Sequence, residues 1–415
     1  MARRATILLV GTLLATATYP AVATSQSFQQ NSADNQQIQN ADVNADLTLN
    51  VVTADTTTAT TSAGANGYSA QVQSGSLDVQ SVQTANGNVG AHAVVNVSNA
   101  SGSTVITTSA TGNTGANDSL GFADLTGALT QTTGAVSIDA ESQLNAGSAA
   151  AANISHSVQA MGNSQEISAV GGSAAMTVNQ SNQASVQANG GAVIGYTGDG
   201  ASIFSSVTTG NNIAFNGSSG ATSALTVNQS NTGSLVQATQ FVNAGNGQTI
   251  ASQTNAIANN LSVSNDNNPL NVASTQTNTT YVRAQTEETA SEFGTGSASA
   301  NGVGNSLVAG NPGGDLTLNN NQFNSGGGVE VISSFSGTGG LGYDGSSSAI
   351  AMGNAVTGFA CSTCVNRMTV TNRQTNNTAV SATSTLTMGA ANRAATGVAT
   401  AMGNTATFYV SQPDN

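Results

Sequence analysis

Lysine is missing from all 415 residues, and so is tryptophan. Without lysine no phosphate-cradling P-loop can be completed, and no G-x-S-x-G nucleophile elbow occurs either. Positive charge is confined to six arginines against 19 acidic residues, giving a net charge of −13. Such a chain repels phosphate, which excludes nucleic acid and anionic lipid surfaces as natural partners. Proline occurs four times, cysteine twice, and charged residues make up only 6 % of the chain. Long hydrophobic runs are also scarce. The apolar stretch at 5–15 is too short to span a bilayer, nothing later approaches that length, and no run of amphipathic strands with aromatic girdles could build an outer-membrane barrel.

The short run nevertheless has a meaning. Arg3 and Arg4 precede it and Ala21-Val22-Ala23 follows it, which is the layout of a secretory signal peptide over 1–23. Export removes two arginines and leaves the remainder at −15. In an oxidising compartment Cys361 and Cys364 form a C-x-x-C pair for which a local disulfide is the leading reading, ahead of free thiols and of redox or metal chemistry.

What the chain has in abundance is Asn, Gln, Ser, Thr and Gly, arranged with a period. The hexamer TVNQSN stands at 177–182 and again at 226–231. A second marker, A-x-G-N or a looser form of it, ends at Asn66, Asn113, Asn163, Asn211, Asn259, Asn305, Asn354 and Asn404, with gaps of 46 to 50 residues. A Q-x-N pair led by two apolar residues on one strand face recurs at Gln143/Asn145, Gln180/Asn182, Gln229/Asn231, Gln276/Asn278, Gln322/Asn324 and Gln374/Asn376. Helix is excluded by poor formers and by the absence of a sustained i, i+3, i+4 apolar stripe. Period-2 segments separated by Gly- and Asn-rich turns read as strands.

One such unit cannot bury enough to be stable, but stacked units can. The reading is therefore all-β: a β-solenoid of about eight degenerate repeats of 46–50 residues, forming a rod over 46–410. Each repeat is one wide coil or two of half that length. Amides in successive coils, about 4.8 Å apart, form ladders that satisfy inward polar groups. The marker Asn residues are expected at corners, with the preceding Gly at positive φ. Residues 24–45 are expected to be a Gln/Asn-rich arm or cap, and 411–415 a tail.

No catalytic centre, cofactor or metal site emerges. His92 and His156 are far apart in sequence, so neutral histidines are the default; Asp139 and Glu141 share a strand face; and Glu287, Glu288 and Glu292 cluster near Arg283 as a solvated acidic loop, or as a weak cation site without the D-x-D-x-D-G spacing of a calcium loop. Paired carboxylates could cleave glycosides, but the chain lacks the basic and aromatic platforms such sites use.

A signal peptide, a lysine-free Asn/Gln/Gly body and repeated AMGN and NQSN units over 47–410 together resemble the holdfast anchor protein D family of Caulobacter-like alphaproteobacteria. The resemblance implies a non-enzymatic, secreted, outer-membrane-associated protein at the cell surface, at the pole. It would tether the holdfast polysaccharide alongside a curlin-like companion and an outer-membrane pore lipoprotein. The Q-x-N units are also similar to curlin repeats, which makes a self-associating surface fibre the alternative. The full Ser-Gln-Gly-Asn-Gln spacing is not kept, which argues against self-propagating amyloid. An ice-binding array would need Thr in one constant register, and the repeats do not hold one.

Overall fold

The structure, a computed structural model, describes residues 30–410 apart from 100–101, 135–136, 150–152, 199, 267, 361–366 and 390–392. The signal-peptide segment, Cys361, Cys364 and the 411–415 tail lie outside the described residues. Among those described there is no helix: 21 strands, all paired in parallel, form two sheets.

Eight coils stack along one axis, one wide coil to each repeat. Every coil lays down a first strand (A), a second (B) and a longer third (C). The A strands are Gln30–Gln39, Ser76–Ala85, Asp124–Thr133, Ser173–Asn182, Thr222–Asn231, Leu270–Asn278, Leu316–Asn324 and Met368–Asn376, and they make up the eight-stranded sheet. In coils five to seven the B and C runs are continuous, as Leu235–Ser264, Tyr281–Asn311 and Val329–Ala360, and so join both columns into one sheet. Coil one begins with Gln30–Gln39, so most of the expected arm is the first rung of the solenoid.

Within a coil the C strand runs back across both A and B. Its C-terminal half packs on A, as Ile167 and Ala169 do with Leu125, Leu129, Met176 and Val178. Its N-terminal half packs on B, as Ile154 and Phe204 do with Leu144 and Ile194. A strand of 18 residues such as Asn153–Val170 spans about 60 Å, whereas eight coils rise only roughly 35 Å. The body is a slab, not the rod expected from the repeat.

The C-strand marker is not a corner. Gly162 and Asn163 are both buried, which breaks the in-out alternation, and the register pairing skips the residue before each marker Asn. The marker is thus a kink in mid-strand that turns two successive residues inward. Nor does the Gly supply a positive φ: Gly75, Gly121, Gly171, Gly220, Gly326 and Gly328, which do, lie at turns between strands, and Gly127 lies inside an A strand. A Cβ on Gly162 would meet Gly210 O of the next coil at 2.5 Å and Asn182 Oδ1 at 2.7 Å. Close backbone approach, not handedness, accounts for this glycine.

Candidate functional site: a polar spine and two outer faces

The two TVNQSN copies lie side by side, Thr177 against Thr226 through Asn182 against Asn231. Strand alternation sends Val178, Gln180 and Asn182 into the core and Thr177, Asn179 and Ser181 to the outer face. The hexamer is at once a core rung and a surface rung.

Inside, the marker residues form an unbroken ladder of eight. Asn66 Nδ2 donates to Asn113 Oδ1 at 2.8 Å, and the same bond links Asn113 to Asn163, Asn163 to Asn211, Asn211 to Asn259, Asn259 to Asn305, Asn305 to Asn354 and Asn354 to Asn404, at 2.7 to 2.9 Å. Each of these donors also gives its second proton to an A-strand carbonyl, as Asn163 does to Ser181 O at 3.1 Å. A glutamine ladder runs beside it with the opposite polarity. Gln374 donates to Gln322, Gln322 to Gln276, Gln276 to Gln229, Gln229 to Gln180, Gln180 to Gln131, Gln131 to Gln83 and Gln83 to Gln37. Its second protons go to C-strand carbonyls, for example Gln180 Nε2 to Asn212 O at 2.8 Å. Both ladders therefore bond along the axis and across the slab. With nearly every amide hydrogen used, the desolvation cost of burying them is offset.

The terminal Asn of the Q-x-N pairs makes a shorter, interrupted ladder. Asn182 bonds Asn231, and Asn278 bonds Asn324, which bonds Asn376. Between the two runs Asn231 Nδ2 turns to Ala258 O, while its Oδ1 accepts from Thr280 Oγ1. This amide seam separates the apolar lobe under A from those under B.

Gln143 and Asn145 are not part of it. They lie on a B strand, Ser137–Ala149, where Asn145 Nδ2 donates to Asn96 Oδ1 in an exposed row. Coil three places Gln131 in the ladder instead, with Thr133 after it where later coils have Asn.

The outer faces differ. On face A, from coil three to coil six, a shallow groove is lined by Thr130, Thr132, Asn179, Ser181, Asn228 and Ser230, with no charged group. Asn228 Nδ2 donates to Asn179 Oδ1 at 2.9 Å along that row. Face B carries acids and an aromatic. Phe241, 44 % exposed, forms a second groove with Gln143, Val193, Asn243 and Glu287. Gly191 and Glu287 flank Phe241 in register, which leaves one side of the ring uncrowded by a β-carbon branch. Sequence reasoning missed this platform because a single Phe among polar residues carries no repeat signal.

The acidic group at 287–292 is not a solvated loop. Glu287 faces out, but Glu288 is buried and shares a hydrogen bond with the Ser252 hydroxyl; burial pushes its carboxyl up to about 8. Arg283 approaches Glu330 at 3.4 Å instead. His156 is buried beside Phe204, with Nε2 2.8 Å from Ser142 Oγ, and burial lowers its pKa to about 4. His92 is not alone, since the coil brings it beside Asp46, Asp139 and Glu141.

Compared with known families, residues 51–328 match the family described as holdfast attachment protein D, which is about two-thirds of the chain. No curated protein and no solved structure matches it.

Proposed function

Because the chain belongs to the holdfast attachment protein D family, we propose that it is a non-catalytic structural adhesion protein that holds the holdfast polysaccharide at the cell surface through its outer faces. The observation that carries this reading is the in-register outer surface: rows of hydroxyls and amides on face A, and the Phe241 platform with Glu287 on face B. Hydroxyls and amides exchange hydrogen bonds with sugar hydroxyls, and an exposed ring stacks on the apolar face of a pyranose. Contacts that are weak singly add by effective concentration when one polymer meets many rungs. The charge of −15 that export leaves attracts any cationic, deacetylated amino sugars. Export to the outer membrane, and companions of the curlin and pore-lipoprotein kind, belong to the same reading.

Purified protein should bind immobilised, partly deacetylated amino-sugar polymer, and binding should weaken between 50 and 300 mM salt. Salt-indifferent binding would remove the electrostatic part of the reading, and no binding at either salt would remove the glycan part.

One observation favours a second reading, a self-associating fibre. The ladders end in complementary groups: in coil one Asn66 Oδ1 is left as the terminal acceptor of its ladder and Gln37 as the terminal amide of the other, while in coil eight Asn404 ends as a donor and Gln374 as an acceptor. Concentration-dependent filaments from purified protein would support that reading, and a monomer at all concentrations would end it.

A further inference from the structure

Face B also holds, near the N-terminal end of the stack, the group of His, Asp and Glu side chains with metal-ligating spacing among the described residues. We infer that His92, Asp139 and Glu141 form a binding site for a divalent transition-metal ion of the zinc type, which the attachment role does not itself require.

The coil creates the site from residues that are 47 and 49 positions apart in sequence. His92 lies opposite Glu141, and Gly90 lies opposite Asp139, in the register of Val89–Asn99 against Ser137–Ala149. The imidazole and the two carboxylates offer ligand atoms that all lie within 4.8 Å of one another, with His92 Nε2 at 3.8 Å from Asp139 Oδ2. Three ligands held at ~2.1 Å from one tetrahedral ion stand about 3.4 Å apart. Closing the widest pair therefore takes at most about 1.4 Å, shared between side chains on a solvent-facing surface.

Two further features lie outside those three side chains. Asp46, one coil earlier, accepts the His92 Nδ1 hydrogen bond at 2.9 Å. That fixes the tautomer with a bare Nε2 lone pair turned toward the carboxylates, the arrangement a metal-bound imidazole needs from its supporting shell. Gly90 supplies room. A Cβ there would stand 3.0 Å from His92 Cε1 and 2.8 Å from Asn44 Oδ1, so any other residue would push the ring off its neighbour.

The donor chemistry selects the ion. One imidazole nitrogen with two carboxylates suits zinc and its first-row neighbours, whereas calcium and magnesium favour all-oxygen cages. Three protein ligands leave a position for water or for an oxygen from outside. Because Asp46, His92 and the Asp139/Glu141 pair come from three consecutive coils, a bound ion would stitch the first three turns together.

The experiment uses the full chain carrying Cys361→Ser and Cys364→Ser, so that no thiol competes, titrated with zinc chloride by calorimetry and followed by thermal unfolding. One equivalent should bind with micromolar affinity and raise Tm, and millimolar calcium should not displace it. His92→Asn should weaken binding more than tenfold. Asp46→Asn, which removes only the positioning bond, should weaken it about tenfold. With Co²⁺ in place of zinc, a visible absorption band should depend on His92, a readout that a general loss of stability does not produce. Equal zinc affinity with and without His92, no binding below 1 mM, or equal competition by calcium would each overturn the assignment.

Discussion

Asn163 sits directly over Asn211, its Nδ2 donating to Asn211 Oδ1 at 2.8 Å, with both side chains fully buried. Each is a middle member of the eight-residue ladder, and the slab depends on such pairs because its apolar lobes are split by the amide seam.

Removing one middle member orphans partners on both sides. In Asn163→Ala, Asn211 Oδ1, Ser181 O and the Asn113 amide each lose a bond. Leaving buried polar groups unsatisfied costs about 1–3 kcal/mol each, so a loss of roughly 3 kcal/mol is expected in urea unfolding. Asn404→Ala, at the exposed end of the same ladder, should cost less than about 1 kcal/mol. Equal losses at the two positions would show that burial of the ladder is not what matters.

Glu288 sets an alkaline limit. Its folded pKa is raised to about 8 from 4.5, so the folded protein keeps a proton that the unfolded chain has released. The stability that proton carries is present below pH 4.5 and is lost as pH rises toward 8, with a slope of at most about 1.4 kcal/mol per pH unit. Glu288→Gln should flatten that limb in denaturant midpoints measured from pH 5 to 9.

His156 acts in the other direction. With its pKa lowered to about 4 from 6.5, it contributes stability above pH 6.5 that is lost as pH falls toward 4. Between pH 4.5 and 6.5 the two slopes oppose each other, which gives a plateau. His156→Phe, flanked in register by Ile106 and Phe204, should abolish the acid limb and leave the alkaline one unchanged.

Phe241 should matter for binding and not for folding, since its ring is half-exposed. Phe241→Ala should weaken binding to amino-sugar polymer by about three- to tenfold, the worth of one stacking contact, with Tm unaltered. A parallel fall in Tm would place the ring in the fold and not in recognition.

The solenoid and its eight repeats could be read from the 46–50-residue period, because stacking in register forces equivalent residues to recur at that interval; that each repeat is one wide coil and not two is settled only by the strand pairing. The same arithmetic carried back from Gln180 reaches Gln131 and Gln83, and forward from Asp46 reaches His92 and then Glu141. Local spelling hides those contacts where spacing shows them: coils two and three read Gln83-Thr-Ala85 and Gln131-Thr-Thr133 where coils four to eight read Q-x-N. Other features leave no such trace. Nothing in "RAQTEETASE" says which glutamate points inward, because strand phase is fixed by the neighbouring coil. The slab proportions follow from three strands per turn, and the markers do not reveal the number of strands between them.

The stacking direction also decides how the molecule bears load. The chain enters at the first coil and leaves at the eighth, and among the described residues each coil is held by bonds to those above and below it, with Tyr68 of coil one also reaching Gln165 of coil three. Tension applied along the axis through the chain ends would unzip the outermost turn bond by bond and then the next. Force delivered sideways, by a polymer lying across many turns, would shear whole rows of bonds at once. A tether of this design is strongest when its cargo grips the flanks.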